Sequence, residues 1–201
     1  MSVSKKELLD AACELCDRLG EMANLNENIG LDKEIKMSSI LKMDLFSFLA
    51  YLAASDNVIS WKESRYIGDL LGLSMSPETL NNLIIERNIY STEFEEKPPL
   101  TLQLFVAMDN AIYDSNASSI DDELGRYLLK LYMAVGIGLV ESNGESVEDE
   151  HFAEKEDFEI YMNMLRRYAE ENTKRHHTDI IFNHSKTGKQ KEKKDTEINN
   201  G

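Results

Sequence analysis

The stretch Leu41–Ala54, LKMDLFSFLAYLAA, constrains this chain more than any other. It reads as a helix, from about Ser39 to Ser55, that is apolar on most of its surface. Such a helix is stable only where neighbours enclose it. Leu45–Ala54 and Leu131–Val140 are the longest apolar runs. Each is about half of the ~20 residues that span a bilayer, so both read as buried helix segments. No segment alternates with period two for long enough to make a strand. With 201 residues, the chain can bury a core without metals or disulfides. The expectation is an all-α, compact bundle of about seven helices in one domain over 1–172. A charged, mostly disordered tail follows over 173–201.

Local signals place the helix ends. Ser4-Lys5-Lys6-Glu7 and Ser60-Trp61-Lys62-Glu63 are capping boxes, and Ser76-Pro77 pairs an N-cap with proline at the first helical position. Leu8, Leu9, Ala12, Leu15, Cys16 and Leu19 form the apolar stripe of the first helix, which Gly20 can end. A helix from Ser60 runs to Gly72, and the next continues to about Tyr90. In Leu100–Asp114 the expected inner face is Leu100, Leu104, Met108, Ala111 and Ile112. Long helices are expected over Ile120–Glu141 and from about Val147 to Asn172.

Charge limits the partners. The net charge is −15. From Asn172 onward seven Lys/Arg face four Asp/Glu, so the tail is +3 and the rest −18. A body this acidic repels nucleic acid and anionic membrane surfaces. Cations, basic peptides and basic protein faces are the permitted partners. The N-terminal residues lack the apolar core of a signal peptide. The expectation is a cytoplasmic protein without membrane insertion, its two cysteines reduced.

Two windows repeat. Leu52-Ala-Ala-Ser-Asp-Asn-Val-Ile-Ser-Trp-Lys-Glu63 and Leu139-Val-Glu-Ser-Asn-Gly-Glu-Ser-Val-Glu-Asp-Glu150 align at an offset of 87 residues. Each has an apolar helix ending in leucine, a polar turn, and a glutamate in the first turn of an amphipathic helix. Tyr51 and Gly138 precede them. At these residues the chain resembles the tellurite-resistance TerB-like family. That family's pattern is an apolar helix ending Leu-Ala-x-x-Asp-Gly, then an apolar residue, Ser-x-x-Glu and a second amphipathic helix. Asn57 stands where glycine is usual. In the second copy Asn143 replaces the aspartate, and Val147 sits where the serine belongs. The resemblance covers Leu41–Leu71 well and Leu128–Tyr168 loosely. It implies an all-α, acidic, cytoplasmic module of stress and defence systems. It also implies association with divalent cations and occurrence beside DnaJ-type or ATPase domains.

Asp56, Glu63, Asn143 and Glu150 are the candidate cation ligands, because oxygen donors on a turn suit Mg²⁺ or Ca²⁺. The same residues have a local explanation as helix caps. The spacing is not that of an EF-hand, since Val58 falls at the third loop position and glutamate at the eighth. If the two units pack by pseudo-twofold symmetry, their turns meet.

Other motifs carry less. Cys13-Glu14-Leu15-Cys16 lies in mid-helix without a second ligand pair, which suits core packing better than zinc or redox chemistry. Of four histidines, His176, His177 and His184 lie in the tail, apart from His151. Di-metal bundles use paired Glu-x-x-His motifs, and the chain has no such pair. Thr187-Gly188-Lys189-Gln190 lacks the upstream glycine of a P-loop. Lys186–Lys194 reads as a solvated basic segment, and Asp179–Phe182 as a short docking element. Trp61 is either a partner anchor or part of the core. The expected function is therefore a non-catalytic TerB-like interaction or scaffold module without a bound cofactor. Its partner is a protein, and a regulatory adaptor for an ATPase or chaperone-type partner is the alternative.

Overall fold

In a computed structural model, residues 4–22, 35–89, 97–115, 124–143 and 154–173 are described. They form seven helices and no strand, the all-α bundle expected. These are α1 (Lys5–Met22), α2 (Met37–Ala53), α3 (Trp61–Leu71), α4 (Pro77–Glu86), α5 (Leu100–Asp114), α6 (Leu124–Asn143) and α7 (Glu154–Asn172). No described helix is long and apolar enough to cross a membrane.

The enclosure demanded by the sequence of α2 is met. This helix touches each of the other six. From Phe48 to Ala54 every residue is buried, so two turns show no side to solvent. The Phe48 ring stacks on Tyr161 of α7, centroids 4.8 Å apart, and tilts against Tyr132 of α6 at 5.2 Å. Tyr132 is fully buried, and burial drives its ionisation well above the usual tyrosine range. Gly136 lets these rings close up. A Cβ there would lie 2.5 Å from Phe158 Cε2 and 3.0 Å from Phe48 Cζ.

Helix starts are satisfied in two ways. The three serines expected as caps act locally. Ser4 and Ser60 form reciprocal boxes with Glu7 and Glu63, and Ser76 accepts from the Thr79 N–H. Lys36 and Pro99, at the starts of α2 and α5, have no capping side chain. There an aspartate from an earlier helix substitutes. Asp17 of α1 accepts from the Ser38 N–H and hydroxyl, both at 2.8 Å. Asp44 of α2 accepts from the Thr101 N–H at 2.9 Å and hydroxyl at 2.7 Å. Asp109 of α5 accepts from the Leu124 and Gly125 N–H groups at 2.9 Å. Burial raises the pKa of Asp44, and the donors from Thr101 and Leu100 oppose the rise.

Three expected boundaries or faces shift. Helix α1 runs through Gly20 to Met22. That glycine serves close packing, since a Cβ would meet Met37 Cγ at 2.5 Å. Helix α2 starts at Met37 rather than Ser39 because its cap comes from α1. In α5 the buried residues are Thr101, Leu102, Leu104, Phe105 and Val106, not the stripe through Met108 and Ala111. Its first half is wedged among α2, α6 and α7, while Ala111 and Tyr113 lie exposed beyond the core. The connection between the first two helices falls mostly outside the described residues. So do the start of the helix expected from Val147 and, Thr173 aside, the tail.

Two expectations follow. Gly136→Ala gains up to about 1 kcal/mol of helix propensity but forces an overpacked core, at roughly 1–3 kcal/mol. Urea unfolding should therefore report a net loss of about 1 kcal/mol. A raised carboxyl pKa gives stability that is full below the unfolded value, 3.8, and lost as pH rises through the folded one. Asp44→Asn keeps an acceptor for Thr101 and removes this ionisation. The stability of the wild type relative to the variant should then grow as pH falls from neutral towards 3.8. A pH-independent difference in the two unfolding curves would contradict it.

Candidate functional site

The first turn is built by short-range bonds. The Ser55 hydroxyl donates back to Leu52 O at 2.8 Å, closing α2. Asn57 takes a left-handed backbone, φ 63°, a conformation that glycine adopts freely and asparagine tolerates. This is the position where the family pattern has glycine. Asp56 Oδ1 accepts from the Val58 N–H at 2.8 Å, an Asx turn. The chain then enters the capping box. Glu63 Oε2 accepts from the Ser60 N–H at 2.7 Å and the Glu63 N–H donates to Ser60 Oγ at 3.1 Å. Glu63 is 1% exposed, so its carboxylate is largely committed to the cap, whereas Asp56 is exposed.

The two units do meet. The Ser60 hydroxyl, while accepting from Glu63, donates to Asn143 Oδ1 at 2.9 Å. Lys62 Nζ reaches the Asn143 carbonyl at 3.4 Å. Nearby, the Tyr66 hydroxyl donates to Val135 O at 2.9 Å and Lys5 Nζ pairs with Glu141 at 2.7 Å. Gly138 makes room for both, since a Cβ would lie 2.2 Å from the Tyr66 hydroxyl and 2.7 Å from Lys5 Cδ. A polar seam thus joins the start of α1, the start of α3 and the end of α6. Asn143 is the last residue of α6 rather than a turn residue. Glu150 lies outside the described residues, as does His151 with the other histidines.

The repeat is deeper in its first half than the turn motif alone suggests. At the offset of 87, buried Leu41, Leu45, Phe48 and Leu52 fall on buried Leu128, Tyr132, Val135 and Leu139. The Ser142 hydroxyl donates to Leu139 O at 2.6 Å, the counterpart of Ser55 to Leu52. The second half slips. Buried Ser64, Ile67, Gly68 and Leu71 of α3 match buried Phe158, Tyr161, Met162 and Leu165 of α7 only at an offset of 94. On that register the counterpart of Glu63 is Asp157, not Glu150. At the original offset the residues corresponding to Asn143 and Ser60 are Asp56 and Val147, and valine has no hydroxyl to donate.

The remaining candidates divide. Trp61 is 71% exposed and Val58 66%, so Trp61 is displayed at the start of α3 and does not pack against the first helix. Cys13 and Cys16 lie within α1. Burial raises both thiols, Cys16 to about 12, which suits packing rather than thiolate chemistry. Among the described residues, no three His, Cys, Asp or Glu side chains are grouped to hold a metal ion. Sequence reasoning missed the interhelical caps and the seam through Gly138. An acid inside an apolar run, such as Asp44 in LKMDLF, was the available signal for the first.

Fold and site together define an all-α bundle protein with an internally repeated, cap-linked helix unit. Compared with protein-family models, curated proteins and solved structures, the chain has no match.

The shared hydroxyl gives a test of the seam. Ser60→Ala should cost about 1 kcal/mol as a lost cap. A double-mutant cycle with Asn143→Ala should show a coupling of about 1 kcal/mol in urea unfolding. Strict additivity would show that the start of α3 and the end of α6 do not communicate.

Proposed function

We propose that the chain is a non-catalytic TerB-like interaction or scaffold module of a bacterial stress-response or defence system, working through the region of its acidic turns. The observation that carries this reading is the display of Trp61 and Val58 beside Asp56 on a turn locked by the Ser60–Glu63 box. Tryptophan on a preorganised surface is the side chain most suited to anchoring a partner. The −15 net charge favours a basic partner face. The non-catalytic part is supported by the state of the reactive groups: Glu63 serves its cap, and the Cys16 thiol is pushed to about 12. The partner is a protein of the same system, of ATPase or chaperone type.

A divalent cation held at the turn deepens the same reading. Asp56 is its principal ligand, with Asn143, Glu63 and Glu150 as the further candidate oxygen donors. Asp56 is the one to mutate first, since removing Glu63 would also break the cap.

Titration with Mg²⁺, Ca²⁺ and Mn²⁺ should shift the fluorescence of Trp61 and the melting temperature, and Asp56→Ala should abolish both shifts. Silence up to roughly millimolar cation, the weak end of protein calcium sites, would sink the cation part. The interaction part is read separately. A nucleotide-hydrolysing partner recovered by the wild type should be lost with Trp61→Ala at unchanged melting temperature. Equal recovery by the variant would refute Trp61 as the anchor.

A further inference from the structure

A second surface lies away from the acidic turns, where α2 leaves the core. Its floor is Phe46, 6% exposed. Its walls are Met43 from α2, Leu71 and Leu73 at the end of α3, and Leu83 from α4. The α3 wall is set by Gly72, whose left-handed backbone (φ 73°) turns the chain so that the Leu73 N–H bonds to Gly68 O at 2.8 Å. Met43 and Leu73 remain 54% and 50% exposed, so the apolar lining opens to solvent. The groove holds about 240 Å³, below the roughly 300–1,000 Å³ of small-molecule pockets. That volume suits a few side chains of a docked segment.

The charge around this groove is inverted relative to the chain. Among the described residues, Lys42 and Arg87 line it together with Ser39, and no acidic residue does. The sequence has 37 acidic residues against 22 basic ones. Arg87 stands 5.5 Å over the Phe46 ring centroid, a cation–π contact that fixes the guanidinium at the groove and leaves its donors available. Neither Lys42 nor Arg87 makes an ion pair within 4.0 Å among the described residues, whereas Lys5, Arg18, Arg65 and Arg167 each have a carboxylate partner. Apolar walls, an adaptable methionine and two unpaired cations specify a complementary shape. Such a segment carries apolar side chains on one helical face and carboxylates beside them.

We propose that the α2–α3–α4 groove docks an acidic amphipathic helical segment of a partner protein. Apolar residues of that segment enter between Met43, Leu73 and Phe46, and its carboxylates pair with Lys42 and Arg87. The surface is separate from the Trp61 turn, so failure of either leaves the other standing.

The probe is a fluorescein-labelled peptide, Glu-Asp-Leu-Asp-Glu-Leu-Phe-Asp-Glu-Leu, read by anisotropy on the full chain, beside a counterpart with lysine at every acidic position. Wild type should bind the acidic peptide at least about tenfold more tightly than the basic one. Lys42→Glu with Arg87→Glu should invert that preference. Met43→Asp should abolish binding, and because Met43 is half exposed the variant should keep the circular dichroism and melting temperature of the wild type. Asp56→Ala should bind as wild type does. A preference for the basic peptide, or binding that survives Met43→Asp, would overturn the proposal. So would the absence of binding to either peptide. Self-association lost in Met43→Asp would assign the groove to a second copy instead. Displacement of the bound acidic peptide by a synthetic 174–201 peptide would assign it to the chain's own C-terminal segment.

Discussion

The burial of α2 on every side is the constraint from which the rest of the structure follows. A helix with no solvent face from Phe48 to Ala54 cannot sit at an edge. Three or more neighbours must close around it, and here six do. Its aromatic contacts fix the spacing of α6 and α7, and Gly136 sets how near α6 can come. The same helix carries Asp44 into this apolar setting. A partly buried carboxylate in apolar surroundings is costly unless donors meet it, and the start of α5 supplies them through Thr101. The position of α5 is therefore tied to α2 by a polar bond as well as by packing.

The bundle uses two capping systems, and they differ in what they accomplish. Ser4, Ser60 and Ser76 define where a helix begins along the chain. Asp17, Asp44 and Asp109 define where a helix begins in space, because each belongs to a different helix from the one it caps. A helix end satisfied from elsewhere loses its partner if the packing shifts. Such caps add specificity to an arrangement that apolar contact alone would leave free to slide.

The sequence made the helices legible and left their contacts obscure, and the reason is range. Period, serine caps and Gly72 act within one turn of chain, so the starts of α1, α3 and α4 and the end of α3 were legible in the sequence, whereas α4 stops at Glu86 rather than near Tyr90. The start of α2 depends on Asp17, twenty-one residues away, and no local pattern records it. Gly20 has the composition of a helix stop but is used for close approach to Met37. The α5 stripe was misplaced because wedging among three helices buries consecutive residues, which erases the period. Of the candidate site, the Asx turn and capping box were legible down to Glu63. The seam through Ser60 and Asn143 was legible only as a possibility of symmetry. The exposure of Trp61 was not readable, since a tryptophan at a helix start serves core and surface equally well.

The slip between the two halves of the repeat has a consequence for how such a protein can change length. The buried faces of α2 and α6 correspond at 87 residues, while those of α3 and α7 correspond at 94. The difference is seven residues, and it falls between Ser142 and Phe158. The inward faces of α6 and α7 are set by their own contacts with Phe48, through Tyr132 and Tyr161, and not by a fixed count of residues between them. The length of chain between the two helices can therefore differ from one unit to the next while the aromatic core keeps a single arrangement.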